Sequence, residues 1–183
     1  MKKTILVLTI LAFSFIVKAQ EKINWISLNE ALELQKENPK KIMMDVYTNW
    51  CGPCKMLDKQ TFQNKDLIKY VNEHYYAVKF NGEGNEIINY KGEVYNNPDY
   101  DETKANRRNS SHKLSNYLRI RGYPTIAFFD EKANFIYPLV GFQQPQQLEL
   151  YLKMFSTDKY KEIDTNEKFK VYYEAFKSEF KSK

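Results

Sequence analysis

The sequence predicts an α/β fold, in which strands and helices alternate along one chain. A short apolar run at 42–47 has the length of a buried strand, whereas apolar residues recur with a helical period at 27–37 and 145–155. Cys51 and Cys54 stand just after that run and just before a helical pattern. A strand that delivers a C-x-x-C pair to the start of a helix is a redox arrangement, so the same pattern also indicates a function.

The composition is that of a globular domain with a modest positive charge. The chain has 183 residues, 43% hydrophobic and 28% charged, which allows one ordinary domain with additions. Its formal charge is +5, but Lys2, Lys3 and Lys18 supply three of these charges and residues 1–19 contain no acid, which leaves +2 for the rest. This balance gives no signature of nucleic-acid binding, since no concentrated basic stripe accompanies it.

Residues 1–19 predict a secretory signal peptide. A positive start is followed by an apolar stretch at 5–17, and Val17-Lys18-Ala19 is a suitable cleavage tripeptide before Gln20. The stretch is shorter than the roughly 20 residues of a transmembrane helix, although an uncleaved anchor is the alternative. We therefore expect a periplasmic or secreted protein, in a compartment where disulfides form and persist.

The first elements are a short strand at 23–26 and a helix at 27–37. Either Ser27 or Asn29 is a suitable N-cap, because a short polar side chain there accepts a hydrogen bond from the first turn. Asn38-Pro39 ends the helix.

The apolar strand predicted at 41–47 contains one acid, Asp45. A charge in such a run is costly unless it is paired or functional. A partly buried carboxylate has a raised pKa and can accept the proton of Cys54 when that thiol attacks a disulfide. The alternative is an aspartate that only marks the end of the strand.

The two cysteines of the chain, Cys51 and Cys54, favour thiol–disulfide chemistry. Unpaired N–H groups and the positive end of the helix dipole favour a thiolate at Cys51. Cys54 lies one turn further, where it can attack a mixed disulfide formed by Cys51. A zinc site needs four ligands, and the remaining candidates, His74 and His112, are far apart in sequence. A purely structural disulfide between residues this close would close a very short loop and so stabilise the fold very little.

The segment after the cysteines predicts two helices and then a strand. The apolar face of 56–75 is interrupted near Gln63-Asn64, so a second helix starts at about Asp66, and 76–81 follows as a strand. The next segment, 82–111, is rich in Gly, Asn, Asp and Glu.

The 82–111 segment predicts either a lid or small hairpin anchored by its tyrosines or a mobile surface excursion. It carries a short basic patch, Arg107-Arg108, and His112 behind it is expected to be exposed to solvent.

The remaining elements continue the alternation: helix 113–120, strand 126–129, edge strand 135–140 and helix 145–155. Pro138 supports the edge position, because proline cannot donate a hydrogen bond to a neighbouring strand. In 157–183, Phe169, Tyr172-Tyr173, Phe176 and Phe180 recur at helical spacing. They predict a terminal helix laid on the domain, with a partner or dimer surface as the alternative.

Residues 50–55, Trp-Cys-Gly-Pro-Cys-Lys, resemble the active-site segment of thioredoxin. Asp45 precedes Cys51 by six residues, where thioredoxins carry a buried acid. Lys79 matches the lysine on the next strand that neighbours this acid. Gly122-Tyr123-Pro124-Thr125 matches the segment that bears the cis-proline of the family.

The resemblance implies a thioredoxin-like fold, a central mixed β-sheet flanked by helices. It covers about 23–155, so the expected domain is 20–156 after the signal peptide. The 82–111 segment would be an insert before the cis-proline half, and 157–183 a C-terminal helical extension.

The resemblance also implies a site. Catalysis would rest on Cys51 as nucleophile, Cys54 as resolving thiol and Asp45 as proton acceptor. Lys79 would tune the acid, and Tyr123 would replace the smaller aliphatic residue usual in thioredoxins. The residues implied to bind substrate are Trp50, Gly52, Pro53, Tyr123 and Pro124.

The implied function is reduction of protein disulfides in the cell envelope, without a metal or organic cofactor and with electrons from a redox partner. The Gly-Pro pair between the cysteines resembles reducing thioredoxins, and the Met56, Thr61 and Phe62 pattern resembles the periplasmic branch. A disulfide oxidase or isomerase, or a binding module with vestigial cysteines, are the alternatives.

Overall fold

The computed structural model describes residues 22–181, so the predicted signal peptide at 1–19 lies outside the described residues. The strands are β1 Trp25–Ile26, β2 Lys41–Tyr47, β3 Tyr75–Asn81, β4 Ile88–Tyr90, β5 Glu93–Tyr95, β6 Thr125–Phe129 and β7 Phe135–Val140. The α-helices are α1 Leu28–Glu37, α2 Gly52–Met56, α3 Lys65–His74, α4 Lys113–Tyr117, α5 Pro145–Ser156 and α6 Asn166–Ala175. A π-helical turn, Leu57–Thr61, joins α2 to α3.

Five strands form a mixed sheet in the order β1-β3-β2-β6-β7. Strands β1 and β2 run parallel to β3, whereas β6 is antiparallel to β2 and β7 to β6. Strand β7 lies at the edge, where Pro138 is tolerated. The predicted mixed sheet and its edge strand are therefore confirmed.

The core has two layers, one on each face of the sheet, because β2 is buried on both. Met43 faces a layer built with α3 and α5, whereas its neighbours Ile42 and Met44 face a layer built with α1 and α4. Successive side chains of a strand point to opposite faces, which is why a strand covered by helices on both sides has a continuous apolar sequence.

Local capping sets the starts of the two longer helices that precede the 82–111 segment. The Ser27 side chain accepts a hydrogen bond from the Glu30 N–H, and the Asn64 side chain accepts one from the Leu67 N–H. Asn29, the other N-cap candidate, instead bonds to the backbone around β4. The helix interruption at Asn64 follows the predicted position.

The 82–111 segment folds back on the domain as the β4–β5 hairpin and a loop held by internal hydrogen bonds. The Tyr90 ring is fully buried against Phe129, and its hydroxyl donates to the Ala133 carbonyl at 2.7 Å. The prediction that His112 is exposed is wrong: it is completely buried, caps α4 and bonds through Nε2 to the Glu86 carbonyl at 2.7 Å. Histidine has an aromatic body that packs like a hydrophobic side chain, here against Phe80.

The C-terminal segment, 157–181, is only partly helical. The prediction of helical spacing through Phe180 is wrong, because α6 ends at Ala175 and the chain then continues without helix. Phe180 is nevertheless buried in the core layer beside α3 and α5. Within 22–181, no helix combines the length and apolar character needed to cross a membrane.

Candidate active site

Strand β2 and helix α2 together place the two cysteines. After β2 the chain turns, and the Cys51 N–H donates to the Thr48 carbonyl at 3.2 Å. Cys51 then takes the N-cap position of α2, and its Sγ accepts a hydrogen bond from the Cys54 N–H at 3.1 Å. Pro53 lies in the first turn, where no intrahelical partner is needed for its missing N–H. The two sulfurs are joined in a disulfide.

Both cysteines are buried, next to a short stretch of exposed backbone. Cys51 is 2% exposed and Cys54 is 3% exposed, whereas Gly52 and Pro53 between them are open to solvent. The Gly52-Pro53 backbone is therefore the part of the C-x-x-C segment that solvent reaches.

A buried acid and a half-buried lysine lie side by side in the adjoining strands. The parallel register of β2 and β3 aligns Asp45 with Lys79, and the Lys79 ammonium lies 2.8 Å from Asp45 Oδ2. Asp45 is 1% exposed, and its Oδ1 has no hydrogen-bond partner in the described structure. Burial raises the pKa of Asp45 to about 6, although the Lys79 charge opposes the rise. The carboxyl can thus exchange a proton near neutral pH.

A second acid, Asp58, completes this cluster and is not among the residues predicted from the sequence. It lies in the π-helical turn, four residues after Cys54, and forms an ion pair with the same Lys79 ammonium. The i, i+4 spacing from Cys54 is the signal that could have identified it, since residues at that spacing share one helix face. Three rings surround the ammonium at 5.0–5.5 Å, those of Trp25, Tyr47 and Phe62.

The loop before β6 forms the opposite wall of the site. The Tyr123–Pro124 peptide bond is cis, and the Tyr123 ring meets the edge of Trp50 with centroids 6.2 Å apart. Gly82 lies against the same ring: a Cβ atom there would be 2.6 Å from Tyr123 Cε1, so a larger residue would displace the Tyr123 ring from this position. Burial and the nearby Glu83 carboxylate raise the pKa of Tyr123 to about 12, so its hydroxyl stays protonated.

The 82–111 segment supplies a third wall through hydrogen bonds to Trp50 and Asn49. Glu83 Oε2 accepts hydrogen bonds from Trp50 Nε1 at 2.7 Å and from the Asn109 N–H at 2.9 Å. Asn49 Nδ2 donates to the Ala105 carbonyl at 2.8 Å. These contacts join residues separated by 26 to 56 positions, so no local sequence pattern indicates them.

The residues expected at the site therefore fall into two contacting groups. Asp45 and Lys79 form one group in the interior, and Trp50 and Tyr123 form the other at the surface, on either side of the cysteines in sequence. Across residues 22–181, no three His, Cys, Asp or Glu side chains come together as a metal-ligand set.

Comparison with known proteins gives concordant matches. A family model described as a thioredoxin-like domain matches residues 28–156. The thiol:disulfide interchange protein DsbD of Pectobacterium atrosepticum is 27% identical over 135 residues, which are 73% of this chain and 19% of the relative. The chain thus spans about a fifth of the length of that relative.

Two solved structures have the same fold. A thioredoxin-fold protein from Helicobacter pylori superposes with a TM-score of 0.57 at 20% identity, covering 85% of this chain and 92% of that one. A thioredoxin from Thermus thermophilus gives a TM-score of 0.54 at 14% identity, covering 73% and 87%.

Proposed function

This chain belongs to the thioredoxin-like domain family and is a thiol–disulfide oxidoreductase, and we propose that it reduces protein disulfides in the cell envelope. One observation carries the proposal: the Cys51–Cys54 pair stands at the start of α2, and the preceding strand β2 carries the buried Asp45, paired with Lys79 of β3. This arrangement contains both the exchanging sulfurs and a group that can take up a proton.

The proposed reaction has two exchanges. The reduced Cys51 thiolate attacks one sulfur of a substrate disulfide, forms a mixed disulfide and releases the first substrate thiolate. Cys54 then attacks the Cys51 sulfur, forms the Cys51–Cys54 bond and releases the second substrate thiolate. Two electrons pass to the substrate, and a redox partner must restore the dithiol.

Asp45 is the proposed acceptor of the Cys54 proton. Because burial raises its pKa to about 6, it is a carboxylate at neutral pH but a stronger base than an exposed aspartate. Lys79 tunes this basicity, since its ammonium favours the charged form of the acid. Asp58 acts on the same ammonium and so belongs to the tuning group.

The walls of the site are proposed to hold the substrate backbone. Tyr123 would pair with an extended substrate segment; it precedes Pro124 and lies just outside β6. Trp50, Gly52 and Pro53 form the surface over which the substrate cystine arrives. The large Tyr123 side chain, held against Trp50 and Gly82, narrows this approach.

We infer the reducing direction from the Gly-Pro pair between the cysteines. Reducing thioredoxins have reduction potentials of about −270 mV, whereas the strong periplasmic oxidant has one of about −120 mV. This gap corresponds to roughly 7 kcal/mol for a two-electron couple, which is enough to determine the direction of exchange.

The envelope location rests on the predicted signal peptide at 1–19 and on the similarity to a thiol:disulfide interchange protein. Substrates and electron donor would then be proteins of that compartment. Intact-mass analysis of the exported protein tests the location, because cleavage after Ala19 would remove the first 19 residues.

The deciding experiment is the reduction potential of the Cys51–Cys54 pair, measured by thiol trapping across a series of dithiol redox buffers. A value within about 30 mV of −270 mV supports the reductase. A value near −120 mV reverses the direction to an oxidase. A pair that does not titrate reversibly contradicts the oxidoreductase activity itself.

A further inference from the structure

Exposed positive charges lie in the three stretches that contribute residues to the candidate active site, and they have no role in the exchange described above. Three stretches carry cations but no acid: 50–56, 103–111 and 119–125. All six of their cationic side chains belong to exposed residues, namely Lys55, Lys104, Arg107, Arg108, Arg119 and Arg121. The first two stretches meet at Trp50, and Tyr123 of the third contacts the same ring.

Arg108 is the one of these cations for which the structure gives a ring contact at the site. The central carbon of its guanidinium lies 5.0 Å from the centre of the Trp50 ring, and Trp50 directly precedes Cys51. Within 22–181, Arg108 forms no ion pair with a carboxylate, whereas Lys104 is paired with Asp101 at 3.0 Å. The Arg108 charge is therefore available to an incoming molecule.

The loop that carries Arg108 is fixed to the domain. The neighbouring Asn109 N–H donates to Glu83, which also holds Trp50 Nε1, and the Ala105 carbonyl accepts from Asn49. A single oxygen of Glu83, Oε2, accepts both the Asn109 and the Trp50 hydrogen bonds. A guanidinium held in this way forms a charged wall beside the cystine-binding surface.

We propose that this wall selects disulfides whose cysteines are flanked by acidic residues, with Arg108 as the main specificity-determining residue. The inference rests on the proposed function, because the charge acts on a substrate that comes to Cys51. A carboxylate near the substrate cystine would approach the unpaired guanidinium, and complementary charge raises the rate of productive encounter.

The favoured occupant is a short acidic peptide segment. The 82–111 segment as a whole contains six acids and four cations, so the positive surface is confined to its last residues. A nucleic acid would need a longer basic surface that neutralises several phosphates. Reaction at a cysteine pair also requires a partner that contains sulfur.

The test uses the whole protein and two synthetic peptides that each contain one disulfide. The peptides are identical except that glutamates flank the cystine in one and lysines flank it in the other. Rate constants are measured with reduced protein on oxidised peptide and with oxidised protein on reduced peptide, so the preference is read in either direction of exchange. We expect the glutamate peptide to react about three- to tenfold faster at low salt, with the difference shrinking as salt is added.

Three variants separate charge selection from a structural role of Arg108. Arg108→Glu should reverse the preference, whereas Arg108→Lys should keep it. Lys36→Gln is the control: Lys36 is an exposed cation paired with Glu33 on α1, at the end of β2 opposite to Cys51. It should leave both rates unchanged.

The outcomes are distinguishable. Equal rates with the two peptides, or an unreversed preference in Arg108→Glu, would overturn charge selection and leave the oxidoreductase intact. A folding defect in Arg108→Glu would slow both peptides together, and circular dichroism identifies it; Arg108→Lys against wild type then decides the question. An absence of exchange in both directions would overturn the proposed function and this inference with it.

Discussion

At the scale of single residues, the protein places opposing requirements on Asp45. Burial disfavours its charge and raises its pKa to about 6, whereas the Lys79 ammonium at 2.8 Å favours the charge. Burial dominates, so the carboxylate form is maintained at neutral pH against a free-energy cost. A buried carboxyl that titrates near neutral pH, on the strand that leads to the reactive cysteines, suits the role of a proton acceptor.

The first prediction concerns Asp45→Asn and pH. The folded pKa of about 6 exceeds the ordinary value of 3.8, so the folded state binds more protons between these values and Asp45 lowers stability as pH rises from about 4 to 6. Above pH 6 the penalty is about 3 kcal/mol, by the 1.36 kcal/mol that each pKa unit represents. Urea unfolding at pH 8 should therefore find Asp45→Asn more stable than wild type by up to that amount.

The same variant should slow disulfide exchange. General base catalysis contributes roughly 100-fold or more, so the loss should be of that order at pH 8 and should fade below pH 6, where wild-type Asp45 is protonated. Stopped-flow rates across pH 5–9 measure this. A wild-type profile without an inflection near pH 6, or one shared by the variant, would remove Asp45 from the mechanism.

At the scale of elements, two segments that a minimal version of the fold does not need are anchored by buried polar side chains. In the 82–111 segment, Asn97 is 7% exposed and donates to the Gly84 and Ser110 carbonyls at 3.0 and 2.8 Å. In the C-terminal segment, the fully buried Glu149 of α5 accepts hydrogen bonds from the backbone of residues 179 and 180. These side-chain hydrogen bonds hold segments that contribute no strand to the five-stranded sheet.

For the 82–111 segment, we predict that Asn97→Ala loosens the wall of the active site. Two buried carbonyls lose their donor, which costs roughly 1–3 kcal/mol. Amide hydrogen exchange of residues 97–111 should become faster, while that of β2 changes little. Asn106→Ala, an exposed change in the same loop, is the control. Equal exchange in the two variants would show that Asn97 does not hold the loop.

For the C-terminal segment, we predict that Glu149→Gln destabilises the protein by about 2–3 kcal/mol in urea unfolding. The carboxylate pairs with Lys153 at 2.8 Å and accepts from Ser178 as well as from the Phe180 N–H. The amide cannot satisfy all these donors, and loss of one member of a buried ionic network is costly. Glu179→Gln is the control, since its carboxylate is 78% exposed and should change stability by less than about 0.5 kcal/mol.

Acidification should destabilise the protein in the same way as Glu149→Gln. Burial raises the pKa of Glu149, but hydrogen bonds from Lys153, Ser178 and the tail backbone outweigh it and hold the pKa below the ordinary 4.5. Its stabilisation is therefore present above about pH 4.5 and is lost as pH falls through the folded pKa. If Glu149→Gln and wild type differ equally at pH 3 and pH 7, the carboxylate charge is not what holds the tail.

At the scale of the whole molecule, protection from solvent is graded from the sheet outward. Strand β6 is buried at all of its residues and β2 at all but Tyr47, whereas α6 has no buried residue. Val171 and Tyr173 of α6 are more than half exposed. Regions with few buried contacts open locally at low free energy, while central strands open only with global unfolding.

Native-state hydrogen exchange should follow this gradient. The amides of β2 and β6 should exchange with free energies near that of global unfolding, and those of α6 with about 2 kcal/mol or less. The measurement is made at two protein concentrations. Protection of α6 that matches β2 and rises with concentration would contradict the gradient and indicate that a second copy of the chain covers this helix.

The sequence alone determined the alternation of strands and helices, the position of the reactive cysteines and the presence of an acid in β2. These features follow from short-range patterns: the two-residue and 3.6-residue periods, caps such as Ser27, and the C-x-x-C spacing at a helix start. The family matches confirm the resemblance stated from residues 50–55, and that resemblance, rather than periodicity, placed Lys79 beside Asp45.

Only the tertiary structure decided which distant residues complete the site and the core. It brought Asp58 onto Lys79, Glu83 onto Trp50 and Arg108 onto the same ring, and it buried His112 against expectation and packed Phe180 beyond the end of α6. The physical reason is that backbone conformation follows from neighbouring residues, whereas burial and pairing depend on what packing brings from elsewhere in the chain. The burial and pairing of loop residues are the hardest to predict from sequence, because loops are ordered by long-range hydrogen bonds that have no sequence period.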